Sequence, residues 1–330
     1  MRTMTHGEWG ELLERGGELS EVRAIAEAVA AGEGRAVVVE GAAGIGKTAL
    51  LAEVRTLACG TGLRPWGARA TELERAFGFG VARQLLEPAV HDSDGAAAFE
   101  GAARQAAELL DVTSAEPAAL PFGPERTFAV LHGLYRLTAN LARQQPLALL
   151  VDDAHWADAA SLRFLAYLAG RISHEPVMLV VAARPRSEPG GAAVAELLAE
   201  AGAPVLLRLK TLSDDASARL VRSVVPDALT SVCRSCHALT HGNPFFLREL
   251  AGALREAGAA HAADVLGTAP DGVVASVGAR LARFPGLPEG SSAPPPSWET
   301  ARSCGTPRRS RSSMTARPPR RPTRSGRGGS

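Results

Sequence analysis

The sequence predicts an α/β fold: a parallel β-sheet with helices on both faces, then a small all-helical unit, then a tail of different composition. Three observations predict it. Short apolar runs, RAVVVE (35–40), LALLVD (147–152) and VMLVVAA (177–183), read as strands buried on both faces. Segments with apolar residues at helical spacing alternate with those runs. From Ser213 to Phe284 the pattern becomes helical only.

The elements follow in order. Residues 18–31 have helical spacing, with Ser20 and Glu21 near the start. Strand 35–40 runs into a glycine-rich turn at 41–48 and a helix over 49–58. A second strand is expected at 63–70, and helices at 77–90 and 96–110. The prolines of 114–123 mark a loop. A long amphipathic helix follows at 125–143, then strand 147–152, helix 159–171, strand 177–183, helix 192–201 and a last strand at 205–209. This gives an expected sheet domain at 1–210, a helical lid domain at 211–290 and a tail at 291–330.

Composition bounds the rest. Of the 330 residues, 46% are hydrophobic and 22% charged, which are globular values. No apolar stretch approaches the ~18 residues of a membrane span, and the N-terminus carries no apolar signal core, so a cytoplasmic location with no membrane partner is expected. Four cysteines are too few for a disulfide framework. The net charge of +1 hides an asymmetry. Residues 294–330 hold nine arginines and one acid, Glu299, with no Leu, Ile, Val or Phe. Such a segment buries too little apolar surface to offset its ordering entropy and reads as disordered. Only Lys47 and Lys210 are lysines, and an arginine- and alanine-rich chain points to a GC-rich coding sequence. Three readings of the tail stay open: an out-of-frame translation of GC-rich DNA, an inert linker, or a basic arm for nucleic acid.

The chemistry concentrates in a few motifs. Gly41-Ala42-Ala43-Gly44-Ile45-Gly46-Lys47-Thr48 fits G-x-x-x-x-G-K-[ST] and lies between a strand and a helix, as a phosphate-binding loop requires. Gly41, Gly44 and Gly46 let the backbone wrap phosphates, and the helix start at Lys47, Thr48 and Ala49 supplies N–H groups and positive potential. Lys47 is expected to reach the β- and γ-phosphates and Thr48 to ligate Mg²⁺. LALLVD ends in Asp152 and is followed by Asp153, the pattern of a Walker B strand. Asp152 is expected to hold the metal, and Asp153 to orient or deprotonate the attacking water. Arg184 ends the next strand, where a cation can sense the γ-phosphate. In His241-Gly242-Asn243-Pro244-Phe245-Phe246-Leu247, Gly-Asn-Pro reads as a turn into a helix with Pro244 at its first position. Cys233-Arg234-Ser235-Cys236-His237 matches the c-type haem pattern, but without an export signal and on a helix it is discounted, as is a zinc site. The loop 187–191 implies no site.

GAAGIGKT, LALLVDDAHWAD, LVVAARP and HGNPFFLREL, in that order, resemble the ATPase domain of the STAND branch of AAA+-like P-loop NTPases. More narrowly, they resemble the large LuxR-type transcriptional regulators of actinobacteria. LLERGGELSEV is similar to that family's N-terminal Arg-acidic motif at 14–19. The resemblance spans about residues 12–288. It implies an ASCE-type P-loop NTPase that binds ATP or ADP with Mg²⁺ between sheet and lid and hydrolyses ATP, slowly, as a regulatory switch. It makes Arg184 a sensor and Pro244 an adenine contact, and places His155, Trp156 and Asp158 in an extended Walker B segment. It also implies an inducer, a small molecule or a protein, and leaves self-association open. In such regulators helical repeats and a helix-turn-helix follow. Here the Arg/Pro tail follows instead, so DNA binding by this polypeptide is not expected. Other classes remain: a nucleic-acid-associated AAA+ ATPase using the basic tail, an accessory ATPase of a nucleotide-cyclase signalling system, or a gene remnant.

Overall fold

A computed structural model describes residues 12–91, 98–110, 124–202 and 204–256. Five strands, β1 (Arg35–Glu40), β2 (Arg64–Arg69), β3 (Leu147–Asp152), β4 (Val177–Ala183) and β5 (Val205–Arg208), form one sheet in the order β2-β3-β4-β1-β5. Every pairing is parallel. The α/β fold class read from the sequence is the fold observed. Because all strands run parallel, the phosphate loop after β1 and the acid pair at the end of β3 emerge at the same C-terminal end of the sheet, separated only by β4.

Strand periodicity divides the core. Val37 and Val39 of β1, Ala148 and Leu150 of β3 and Met178, Val180 and Ala182 of β4 pack under α1 (Gly16–Ala30) and α2 (Lys47–Gly60). Their alternates, Val38, Leu147, Leu149, Val151, Val177, Leu179 and Val181, face the layer of α3 to α7. That layer comprises α3 (Gly80–His91), α4 (Arg104–Leu110), α5 (Pro124–Gln144), α6 (Ala159–Ala169) and α7 (Gly191–Glu200). Both faces being covered explains why β3 and β4 are buried at every position and apolar at all but Asp152, without the alternation of a half-exposed strand.

After β5 the chain forms α8 (Asp214–Val224), α9 (Thr230–Thr240) and α10 (Pro244–Glu256), packed around Leu220, Val221, Val232, Leu247, Leu250 and Leu254. Ser213 caps α8 by accepting from Ala216 N–H at 3.2 Å. The segment before α1 bridges both units: Leu12 packs on the α1–α2 face of the sheet and Leu13 on the three-helix core. The expected helical stretch beyond Glu256 and the tail at 291–330 lie outside the described residues. Among the described residues no helix is long and apolar enough to cross a membrane.

Two expected helices begin later than their periodicity indicates. The expected helix at 77–90 starts at Gly80. Phe79 is buried with φ +61, and its N–H goes to Asp158 Oδ1 at 2.8 Å, so the helix cannot extend back through it. The expected helix at 96–110 is a 3₁₀ turn at Gly101–Ala103 leading into α4, with residues 92–97 outside the described set. Cys233 and Cys236 are buried in the three-helix core, and burial pushes the Cys236 thiol up to about 12. Beside them His237 Nδ1 lies 2.8 Å from Ser217 Oγ.

Candidate functional site

The loop between β1 and α2 turns through two left-handed glycines, Gly44 (φ +76) and Gly46 (φ +102), the latter at the N-cap of α2. An L-residue adopts these angles only under strain, which is why the loop needs glycine there. Lys47 opens α2 and is buried, and its Nζ donates to the carbonyls of Gly41 at 2.7 Å and Ala42 at 3.0 Å. Burial pushes its ammonium below the usual lysine range, while Asp153 and Asp152 oppose that shift.

Thr48 Oγ1 donates to Asp152 Oδ2 at 2.7 Å. The other oxygen of Asp152 accepts from Asp153 N–H at 2.9 Å. Burial first, and the neighbouring Asp153 second, raise the Asp152 carboxyl from 3.8 to about 6. Asp153 follows the strand in a left-handed conformation, φ +52. Its Oδ2 accepts from Arg69 Nε at 3.3 Å and Nη2 at 3.1 Å. No motif in the sequence assigns a role to Arg69. It ends β2, in register with Asp152 across the β2–β3 pair, and that neighbourhood depends on a strand order that no local pattern encodes.

The hydroxyl of Thr48 and the carboxylate of Asp152 are hard oxygen donors side by side, a donor set that fits Mg²⁺. Among the described residues no three His, Cys, Asp or Glu side chains converge on a metal position. An ion held by this pair would complete its shell with phosphate oxygens and water, as Mg²⁺ does in phosphoryl-transfer sites.

Arg184 directly follows β4, is buried, and stacks with its guanidinium carbon 5.6 Å from the Trp156 ring centre. His155 is 4% exposed, and among the described residues neither ring nitrogen has a hydrogen-bond partner. Burial, reinforced by Arg184, Lys47 and Arg75, lowers its pKa to about 4, against the pull of Asp153. The unfolded chain therefore takes up this proton first as pH falls. The stability is present above pH 6.5 and is lost as pH drops towards 4, by about 2 kcal/mol after allowing for water reaching the charged ring. Urea unfolding of wild type and His155→Phe at pH 7 and 4.5 checks this. Equal acid losses in the two proteins would exclude His155 as the source.

Asp158 serves the fold: its Oδ1 caps α6 at Ser161 N–H, 2.8 Å, and also holds Phe79 N–H. Pro244 opens α10, placed against the phosphate loop by its neighbours. Asn243 Nδ2 donates to Ala43 O at 3.0 Å and Phe245 N–H to Gly44 O at 3.3 Å. The structure thus gathers the loop glycines, Lys47, Thr48, Asp152 and Asp153 at the C-terminal end of the sheet and brings the Pro244 turn to the loop tip. Gly-Asn-Pro is legible in the sequence as a turn, whereas the contact of Asn243 with the loop is visible only in the fold. Arg15 stood there only within a resemblance, yet it is buried and donates to Ile45 O and Lys210 O.

Similar proteins are known. An uncharacterized protein of Rhizobium meliloti (strain 1021) is 29% identical over 268 residues, 73% of this chain, and this chain spans 25% of its length. Two solved structures resemble the fold at low identity. A Pyrococcus horikoshii STAND protein with a tetratricopeptide repeat sensor is 20% identical (TM-score 0.42), covering 73% of this chain and 30% of that one. Cdc6p from Pyrobaculum aerophilum is 12% identical (TM-score 0.47), covering 76% of this chain and 64% of its own. The family model of the AAA ATPase domain matches residues 11–181, more than half of the sequence, and the chain belongs to that family.

Proposed function

We propose that the chain is the ATP-binding and slowly ATP-hydrolysing switch domain of a LuxR-type transcriptional regulator, with Mg·ATP bound between the phosphate loop and the helical unit. Membership of the AAA ATPase family implies nucleotide binding, usually with Mg²⁺. One observation carries the finer reading: Thr48 and Asp152, 104 residues apart in sequence, meet at 2.7 Å directly beside the loop lysine. The order of the four motifs supports the LuxR-type assignment, and the helical unit packed on the loop tip supports its role as a lid.

Each residue then has a task. The loop N–H groups and the start of α2 receive the phosphates. Lys47 leaves the carbonyls of Gly41 and Ala42 and turns to the β- and γ-phosphates. Thr48 and Asp152 hold Mg²⁺, which when bound neutralises charge on the phosphates. Asp153 orients the attacking water after its ion pair with Arg69 loosens. An aspartate at this position reaches less far than a glutamate, which supports slow hydrolysis. Arg184 senses the γ-phosphate and Pro244 contacts the adenine. The inducer is a small molecule or a protein, and self-association accompanies the nucleotide state.

A thermal shift of the full chain tests this reading. Mg·ATP at about 100 times its dissociation constant stabilises a domain by about 2.7 kcal/mol, here roughly 5–10 °C. The shift should vanish in Lys47→Ala. Micromolar ATP binding retained by Lys47→Ala would reject the site. The nine arginines of 294–330 support a second reading, an ATPase acting on nucleic acid. That reading requires DNA binding with a steep salt dependence, lost when the tail is deleted.

A further inference from the structure

The carbonyls of the phosphate loop from Gly41 to Ile45 each accept a hydrogen bond, and three of them are held from outside the loop. Lys47 holds those of Gly41 and Ala42. Ala43 O takes the Asn243 amide at 3.0 Å, Gly44 O the Phe245 N–H at 3.3 Å, and Ile45 O the Arg15 guanidinium at 3.4 Å. The approach is tight. A Cβ on Gly44 would lie 2.8 Å from Phe245 Cβ and 3.0 Å from Asn243 Oδ1.

A trans peptide is planar, with its C=O and N–H pointing opposite ways. The carbonyls of Ala43, Gly44 and Ile45 share planes with the N–H groups of Gly44, Ile45 and Gly46. Holding those carbonyls from outside turns the N–H groups of Gly44 and Gly46 the other way, towards the loop interior where a phosphate would sit, while that of Ile45 donates to Ala42 O at 3.3 Å. An anion in the loop would hold these planes as they are, and with them the grip of Asn243, Phe245 and Arg15.

The same groups reach the link between sheet and helical unit. Arg15 Nη2 also donates to Lys210 O at 2.6 Å. Leu212 N–H donates to Gly242 O at 2.9 Å, beside Asn243. The Glu14 carboxylate takes both the N–H of Ser213, at 2.9 Å, and its hydroxyl. We propose that Asn243 is a positioning residue for nucleotide binding: from the helical unit it clasps the phosphate loop, with Arg15 as second finger. The link at 210–213 thereby senses whether the loop is filled. This rests on the nucleotide-binding reading above.

Asn243 also has a local role, since its Oδ1 accepts from Phe245 N–H at 3.1 Å at the start of α10. Asn243→Asp separates the two. Aspartate keeps that acceptor but turns a carboxylate oxygen, in place of a donor, towards the carbonyl of Ala43. The chain has two lysines, Lys47 buried and Lys210 exposed at the link, so a lysine-specific endoprotease reads the link by its cut after Lys210.

In wild type, Mg·ATP should slow this cut several-fold. In Asn243→Asp the cut should be about 5-fold faster without nucleotide and insensitive to Mg·ATP, and a fluorescent ATP analogue should bind about 10-fold more weakly. Asn243→Ala should show the same changes at about half that size. Wild-type cutting rates and affinity in Asn243→Asp would overturn the clasp and leave Asn243 a helix cap. The nucleotide-free cutting rate tests the clasp even if wild type binds no ATP, a result that would overturn the nucleotide reading instead.

Discussion

Asp152→Asn is expected to melt at a higher temperature than wild type at pH 7.5 and to lose Mg²⁺-dependent ATP hydrolysis. Asp152 is 4% exposed, and its carboxyl is raised to about 6 by burial and by Asp153. An acid whose folded pKa is raised opposes folding once it ionises. The stability is complete below about pH 3.8 and is lost as pH rises through 6. Asparagine keeps the volume, can still meet Thr48 and the Asp153 N–H, and carries no charge. The gain should be about 1–3 kcal/mol at pH 7.5, the upper end reflecting ~1.4 kcal/mol per pKa unit, and should vanish near pH 4. On the proposed role of Asp152 as Mg²⁺ ligand, hydrolysis should fall at least ~100-fold, because an amide does not replace a carboxylate on the metal. Melting curves at pH 4 and 7.5 with a phosphate-release assay check both halves. A lower melting point at pH 7.5 would show that Asp152 is compensated in the fold by more than Thr48 and Arg69.

Gly191→Ala is expected to destabilise the chain by about 2–4 kcal/mol, by overpacking against backbone that cannot yield. A Cβ there would meet the carbonyl oxygen of Pro185 well inside contact distance and that of Arg184 at 2.6 Å. Gly190 beside it, at φ +79, approaches His155 O as closely, with a Cβ at 2.7 Å. The loop 185–191 is therefore the wall that fixes Arg184 and His155. Alanine at 191 should shift Arg184 as well as lower stability, and on the proposed sensor role of Arg184 this weakens discrimination of ATP from ADP. Urea unfolding and paired ATP and ADP titrations measure the two effects. Wild-type stability in this variant would show that the loop relaxes freely and holds nothing.

That loop shows where the sequence stopped being informative. Its composition, SEPGG, carries turn signals and no chemistry, so it read as a connection without a site. Its importance lies in how near it passes to other backbone, which only the fold sets. The strands were legible because both sheet faces are covered: β1, β3 and β4 match the apolar runs at 35–40, 147–152 and 177–183 residue for residue. The spacing G-x-x-x-x-G-K-T was legible because one short segment must do the whole of its work. Arg69, Asn243 and Arg15 were not, because each acts on a partner far along the chain, and single-sequence periodicity has no register for such meetings. The late start of α3 was hidden for the same reason, since it follows from Phe79 donating to Asp158, 79 residues away.

The fully bonded carbonyls of the phosphate loop have a kinetic consequence. A loop that must order around its anion adds a slow step after encounter and an entropic cost to the affinity. Here the loop is already closed by Asn243, Phe245 and Arg15, and what must move is the ammonium of Lys47, turning from Gly41 and Ala42. Breaking two hydrogen bonds and rotating one side chain is a smaller and faster rearrangement than ordering a loop. Association with a triphosphate should therefore follow a single exponential whose rate rises linearly with nucleotide concentration, with no plateau from loop rearrangement.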